Sequence, residues 1–152
     1  CDADDAPLNP TIARVKVVTG PHDTSSIKIK GDFVTLAPGD VFSASAGIAV
    51  GFHDGAPVPT ARVRTFTTAE CLSTPTRIKC RSTDRLATAV FKTSVSSAGV
   101  WKFSYKSKRD NILGPLVGPA TASITYGAAI DRVGSVVDCQ STFVGLNCKA
   151  SR

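Results

Sequence analysis

Two stretches of the chain repeat one pattern: Cys71-Leu-Ser-Thr-Pro-Thr-Arg-Ile-Lys-Cys80 and Cys139-Gln-Ser-Thr-Phe-Val-Gly-Leu-Asn-Cys148. Each has eight residues between two cysteines, Ser-Thr two positions after the first, an aliphatic residue two before the second, and a basic residue after it. The copies lie 68 residues apart, from 71 to 139. Such a unit reads as an antiparallel hairpin closed by a disulfide, Cys71–Cys80 and Cys139–Cys148. Closing a loop of this length stabilises the fold by about 2–3 kcal/mol, because the unfolded chain loses entropy. Zinc is the competing use of such cysteines, but zinc sites favour C-x2-C knuckles and neighbouring histidines, which are missing here, so no metal or other cofactor is expected.

The repeat continues upstream. A shift of 74 residues lays Ile12, Ala13, Val15, Val17 and Thr19 on Leu86, Ala87, Ala89, Phe91 and Thr93, and lays Ile27 and Ile29 on Trp101 and Phe103, without a gap. The offset then drops from 74 to 68, which places a deletion of about six residues near the loop at 56–59. Two tandem units follow, 11–84 and 85–152, behind an acidic, proline-punctuated arm at 1–10 in which Pro7 and Pro10 disfavour helix.

Short runs rich in Val, Ile, Thr and Phe alternate with charged residues, and Gly and Pro punctuate them. Residues 11–19 set Ile12, Val15 and Val17 against Arg14 and Lys16, and 25–35 set Ile27, Ile29 and Phe33 against Lys28 and Lys30. The segment 41–52 is long enough for two strands around Gly47, 55–59 is a loop, and 61–68 alternates Val63 and Phe66 with Arg62 and Arg64. In the second unit, 85–94 and 99–106 form a hairpin whose Trp101, Phe103 and Tyr105 share one face, and strands at 121–126 and 133–139 follow loops at 108–111 and 114–119. Ten or eleven short strands without helical periodicity predict an all-β chain of two tandem Ig-like β-sandwich units, each ending in a disulfide-closed hairpin. The unit is similar in style to secreted bacterial β-sandwich modules, a resemblance of architecture that carries no catalytic residues across.

Compartment follows from chemistry. Paired cysteines suit an oxidising environment, and a chain without methionine has lost its translation start, as a cleaved export signal would leave it, so an extracellular or cell-surface location is expected. No apolar run reaches the ~18–20 residues of a membrane-spanning helix. The fifth cysteine, Cys1, heads the arm as a lipid attachment point, an interchain disulfide or a mere boundary of the sequence.

Catalytic signatures are poor. There is no Gly-x-Ser-x-Gly elbow, Glu70 is the single glutamate, and disulfide formation blocks four of the five cysteines, so no enzyme is expected. His22-Asp23 and His53-Asp54 lie beside glycines, where turn formation accounts for them. The net charge of +6 attracts polyanions, with Lys16, Lys28, Lys30, Arg62, Arg64, Lys102 and Lys106 spread over the polar phases of several strands, and no signature of specific nucleic-acid binding appears. The expected function is an exported structural subunit that self-associates into a homopolymeric fibre or surface layer, with Ile12, Val15 and Val17 as the donor strand for a neighbour. The alternative is a surface-anchored module that binds acidic glycan or a protein partner of the cell envelope.

Overall fold

The computed structural model describes residues 11–20, 25–34, 42–57, 59–93, 100–110, 112, 115–126, 130–142 and 145–149, with the backbone alone at 11–13, 34 and 130–132. The described chain is all-β. Its strands are β1 (Thr11–Val18), β2 (Ser26–Val34), β3 (Ile48–His53), β4 (Ala61–Phe66), β5 (Cys71–Thr74), β6 (Arg77–Arg81), β7 (Ala87–Thr93), β8 (Val100–Lys108), β9 (Ala120–Tyr126), β10 (Ile130–Val136), β11 (Cys139–Thr142) and β12 (Gly145–Lys149). One sheet has eight strands in the order β11-β12-β1-β2-β8-β7-β6-β5, and the other has four, β10-β9-β3-β4. All the described pairings are antiparallel.

Both orders are palindromes under one exchange. Replacing every strand by the one six places later or earlier in the chain turns each list into its own reverse. The stretches 11–84 and 85–152 therefore share both sheets: β6 pairs with β7, and β12 returns to pair with β1. The ladder preserves the spacing seen in the sequence, because Val15 faces Cys148 and Ala89 faces Cys80.

The gapless shift of 74 is corrected further along. Val15 faces Ile29 on β2, whereas Ala89 faces Tyr105 on β8, so Ile29 corresponds to Tyr105 and not to Phe103. A slip of two residues keeps every side chain on the same face of a strand, so alternation alone could not reveal it.

Alternation sorts the side chains. On β8, Trp101, Phe103, Tyr105 and Ser107 are buried, while Lys102, Lys106 and Lys108 are exposed. The sheets enclose one core, with Phe33 and Tyr126 at 6.2 Å and Phe66 and Tyr105 at 6.4 Å between ring centroids across them. Phe42 fills the space between the layers: its ring lies 5.0 Å from Phe33, 4.8 Å from Phe91, 5.0 Å from Trp101 and 4.7 Å from Tyr126.

That plug accounts for the single strand that the described residues 42–52 contribute, where two were expected. Residues 42–47 leave strand geometry to carry Phe42 inward, and Gly47, at φ +84°, turns the chain into β3. A Cβ at Gly47 would also meet the Phe66 carbonyl oxygen at 2.9 Å. The structure adds a single turn of 3-10 helix, Thr68–Glu70, that alternation did not predict.

Phe42→Ala should empty the centre of the aromatic cluster and destabilise the fold by about 3–5 kcal/mol. Chemical denaturation of the variant against the parent measures it, and a loss under 1 kcal/mol would show that Phe42 is not a core residue.

Candidate functional site

The strands of the large sheet bring the chain's cations to one surface. All nine lysines, at 16, 28, 30, 79, 92, 102, 106, 108 and 149, lie on it, together with Arg14, Arg77 and Arg81, so it holds twelve of the eighteen basic residues. All twelve are exposed and alternate with buried neighbours, and the register sets them on the same side of the sheet. Among the described strand residues facing that way, Asp32 is the one acid, and it sits opposite Lys102.

Two rows of cations run across the strands. In the first, Asn147, Lys16, Lys28, Lys106, Thr88 and Arg81 stand opposite one another from β12 to β6. In the second, the order is Lys149, Arg14, Lys30, Ser104, Val90 and Lys79. Each row carries four cations over six strands, a span of about 24 Å at ~4.8 Å per strand, and the rows lie about 7 Å apart. Lys16, Lys28 and Lys106 are direct cross-strand neighbours, a like-charge arrangement that costs stability in the free protein.

The face has no outward aromatic among the described residues, since Phe33, Phe91, Trp101, Phe103 and Tyr105 all point into the core. It therefore acts by charge and hydrogen bonding, without platforms for stacking nucleobases or sugar rings. The outer face of the small sheet is its opposite in charge. Ala49, Gly51, Ala61, Val63, Thr65, Thr121, Ser123, Thr125, Val133 and Ser135 lie there with His53, and its described side chains include no Lys, Arg, Asp or Glu.

Arg62 and Arg64 do not join the lysines. They lie on the inward side of the edge strand β4, where Arg64 Nη1 pairs with Asp84 Oδ2 at 3.1 Å and Arg62 Nε donates to the Asp110 carbonyl at 2.9 Å. Charges pointing inward on an edge strand oppose edge-to-edge pairing. The Ser82 hydroxyl, the Leu86 N–H and Arg64 hold the Asp84 carboxyl below its ordinary value. Burial pushes Asp110 up despite the hydrogen bond from Ser107 Oγ at 2.6 Å.

The remaining sequence candidates have structural roles or lie outside the described residues. Asp54 is buried, and its carboxylate accepts the Thr60 N–H at 2.8 Å and the Val117 N–H at 3.1 Å, which closes the loop after β3. His53 is exposed, and His22, Asp23 and Cys1 lie outside the described residues. No three His, Cys, Asp or Glu side chains converge among the described residues. The disulfides Cys71–Cys80 and Cys139–Cys148 close the hairpins at the two outer edges of the large sheet and fit an oxidising compartment. No described helix is long and apolar enough to cross a membrane.

Strand β1, expected as a donor to a neighbour, is used within its own chain. It lies between β12 and β2 and is paired on both edges from Arg14 to Val18; Val15 and Val17 are buried, and Ile12 pairs with Gly31 of β2. No protein family, curated protein or solved structure matches the chain.

One acid has a readable pH consequence. The Thr67 N–H and the Thr83 N–H, at 2.9 and 2.6 Å, hold the Glu70 carboxyl below its ordinary value of 4.5. A depressed carboxyl contributes stability that is complete above its unfolded value and is lost as pH falls through the folded one. Carboxyl NMR should therefore place the Glu70 midpoint below 4.5, and Glu70→Gln should flatten the stability profile in that acid window. A Glu70 midpoint at or above 4.5 would contradict the assigned hydrogen bonds.

Proposed function

We propose that this chain is an exported attachment module that binds a polyanionic surface, an acidic glycan of the cell envelope in the first instance, through the outer face of its large sheet. The observation that carries the reading is the placement of all nine lysines on one sheet face, with Asp32 the one acid among the described strand residues that face the same way. A set of solvating charges needs only to be spread over the surface. Here the opposite face carries none among its described side chains, and three lysines stand side by side at a cost that a bound anion would relieve. No catalytic role is part of this reading.

The accompanying fold proposal is a two-sheet sandwich built from two duplicated units, 11–84 and 85–152, interlocked through their exchanged hairpins rather than set side by side. The palindromic strand orders and the repeated Cys-x8-Cys unit support it. Within one chain both edges of β1 are filled from Arg14 to Val18, which favours the attachment reading over a fibre joined through that strand.

Binding of linear polyphosphate, followed by calorimetry across a salt series, tests the charge mechanism. With four to six contacts, log Kd should change by about 3–4 per decade of salt. The triple variant Lys16→Gln, Lys28→Gln, Lys106→Gln should bind at least about tenfold more weakly, whereas Arg85→Gln, off the face, should stay within about twofold. Lys28→Gln alone should also stabilise the free protein by about 0.5 kcal/mol at low salt, an effect that fades as salt screens the row. Salt-independent binding, or a triple variant that binds like the parent, would overturn the proposal.

A further inference from the structure

The two cation rows end on β12 at a cleft, and its chemistry differs from theirs. The cleft is lined by Asp138, Gln140, Asn147 and Lys149, with a volume of about 200 Å³. Asn147 begins the first row, opposite Lys16 on one side and Gln140 on the other, and Lys149 begins the second. The Lys149 N–H donates to the Asp138 carbonyl at 3.0 Å, which ties the segment before β11 to the end of β12.

One of the residues that line the cleft carries an unpaired acceptor. Asn147 Oδ1 is buried and has no hydrogen-bond partner among the described residues. A buried acceptor left unpaired is costly, so the position is suited to a ligand that brings a donor. Sulfate and the interior units of inorganic polyphosphate carry no donor at neutral pH, and the Asp138 carboxylate repels a densely charged anion while accepting hydroxyl hydrogens. A hydroxyl-bearing sugar that also carries an acid satisfies all four groups: its acid meets Lys149, and its hydroxyls or amide meet Asn147, Gln140 and Asp138. The volume is below the ~300–1,000 Å³ of pockets that take drug-sized ligands, so a single sugar-sized unit fits.

The matching positions 68 residues earlier are Glu70, Leu72, Lys79 and Arg81, and they make a different end. Glu70 is committed to Thr67 and Thr83, Leu72 is 78% exposed, and both amide side chains are replaced. A strand arrangement that repeats itself thus presents a polar cleft where the rows begin and a lysine beside an exposed leucine where they finish.

We propose that the Asp138–Gln140–Asn147–Lys149 cleft is a sugar subsite for one end of an acidic polysaccharide laid across the strands along the two cation rows. This rests on the polyanion-binding reading and narrows its ligand to a carboxylated glycan held in one direction.

The test is an NMR titration of the full chain with a hexamer of 1,4-linked uronic acid, alongside linear polyphosphate and a single-stranded RNA oligomer. The oligouronate should move the side-chain amide signals of Asn147 and Gln140, and polyphosphate should leave both in place. Asn147→Ala, and independently the exposed Gln140→Ala, should lower oligouronate affinity about five- to tenfold and change polyphosphate affinity less than twofold. If polyphosphate binds but neither variant distinguishes the ligands, the subsite is overturned and the charge reading stands. If RNA moves the two amides more than the oligouronate does, the cleft belongs to a nucleic-acid site and the proposal fails. If nothing binds the parent chain, the polyanion reading fails as well.

Discussion

The ladder between β2 and β8 is the constraint on which the rest of the structure depends. It joins the stretches 11–84 and 85–152 at the centre of the large sheet, from Ser26 opposite Lys108 to Val34 opposite Val100. Its register sets Phe33 opposite Trp101 and Ile29 opposite Tyr105 inside, and Lys28 opposite Lys106 outside. Core and charged face are thus two consequences of one pairing. Shifting either strand by one residue would send its lysines into the aromatic core and its aromatics into water, so the register is strongly specified by burial. The same parity then passes outward through β1 and β12 on one side and through β7 and β6 on the other.

The charged face works against the stability of the fold that displays it. Like charges stand opposite one another along Lys16, Lys28 and Lys106, and Lys92 lies between Lys102 and Arg77. The apolar layer beneath offsets this repulsion, with Val15, Ile27, Ile29, Phe91 and their neighbours fully buried. The outer edges of the sheet are managed separately. Strands β5 and β11 have only four residues each, and each is clamped to its hairpin partner by a disulfide. Short edge strands and inward charges such as Arg62 and Arg64 on β4 discourage pairing with other chains. A cationic sheet face can then meet a polyanion without also recruiting copies of itself edge to edge.

Local patterns were legible in the sequence, and long-range relations were much less so. Alternation located most strands, because a half-buried strand must alternate, and the eight-residue spacing identified both disulfides. Alternation also marked Lys16, Lys28, Lys30, Lys102 and Lys106 as outward-pointing within their own strands. Whether outward meant one shared face depended on which strands are neighbours, and that is decided by pairings between distant segments, such as β6 with β7 and β12 with β1. Arg62 and Arg64 looked equivalent to the lysines for the same reason, although they face inward on the other sheet. Phe42 was hidden in a run of strand-forming residues, since its role comes from four rings that converge on it in space. The turn at Thr68–Glu70 did carry a signal: Thr67 followed three residues later by Glu70 is a capping box, and both of its hydrogen bonds form. The cleft at Asn147 had none, because its four residues become neighbours only when β12 folds back on β11.

The central claim is that one sheet face, rather than the molecule's net charge, engages the polyanion. Chemical footprinting of lysine and arginine side chains, read by mass spectrometry with and without saturating polyanion, addresses it most directly. The account predicts the strongest protection at Lys16, Lys28, Lys30 and Lys106, where the two rows cross the centre of the sheet, and unchanged reactivity at Arg85, in the turn after β6. Equal reactivity of those four lysines in the free and bound states, in a sample whose binding has been confirmed, would contradict it.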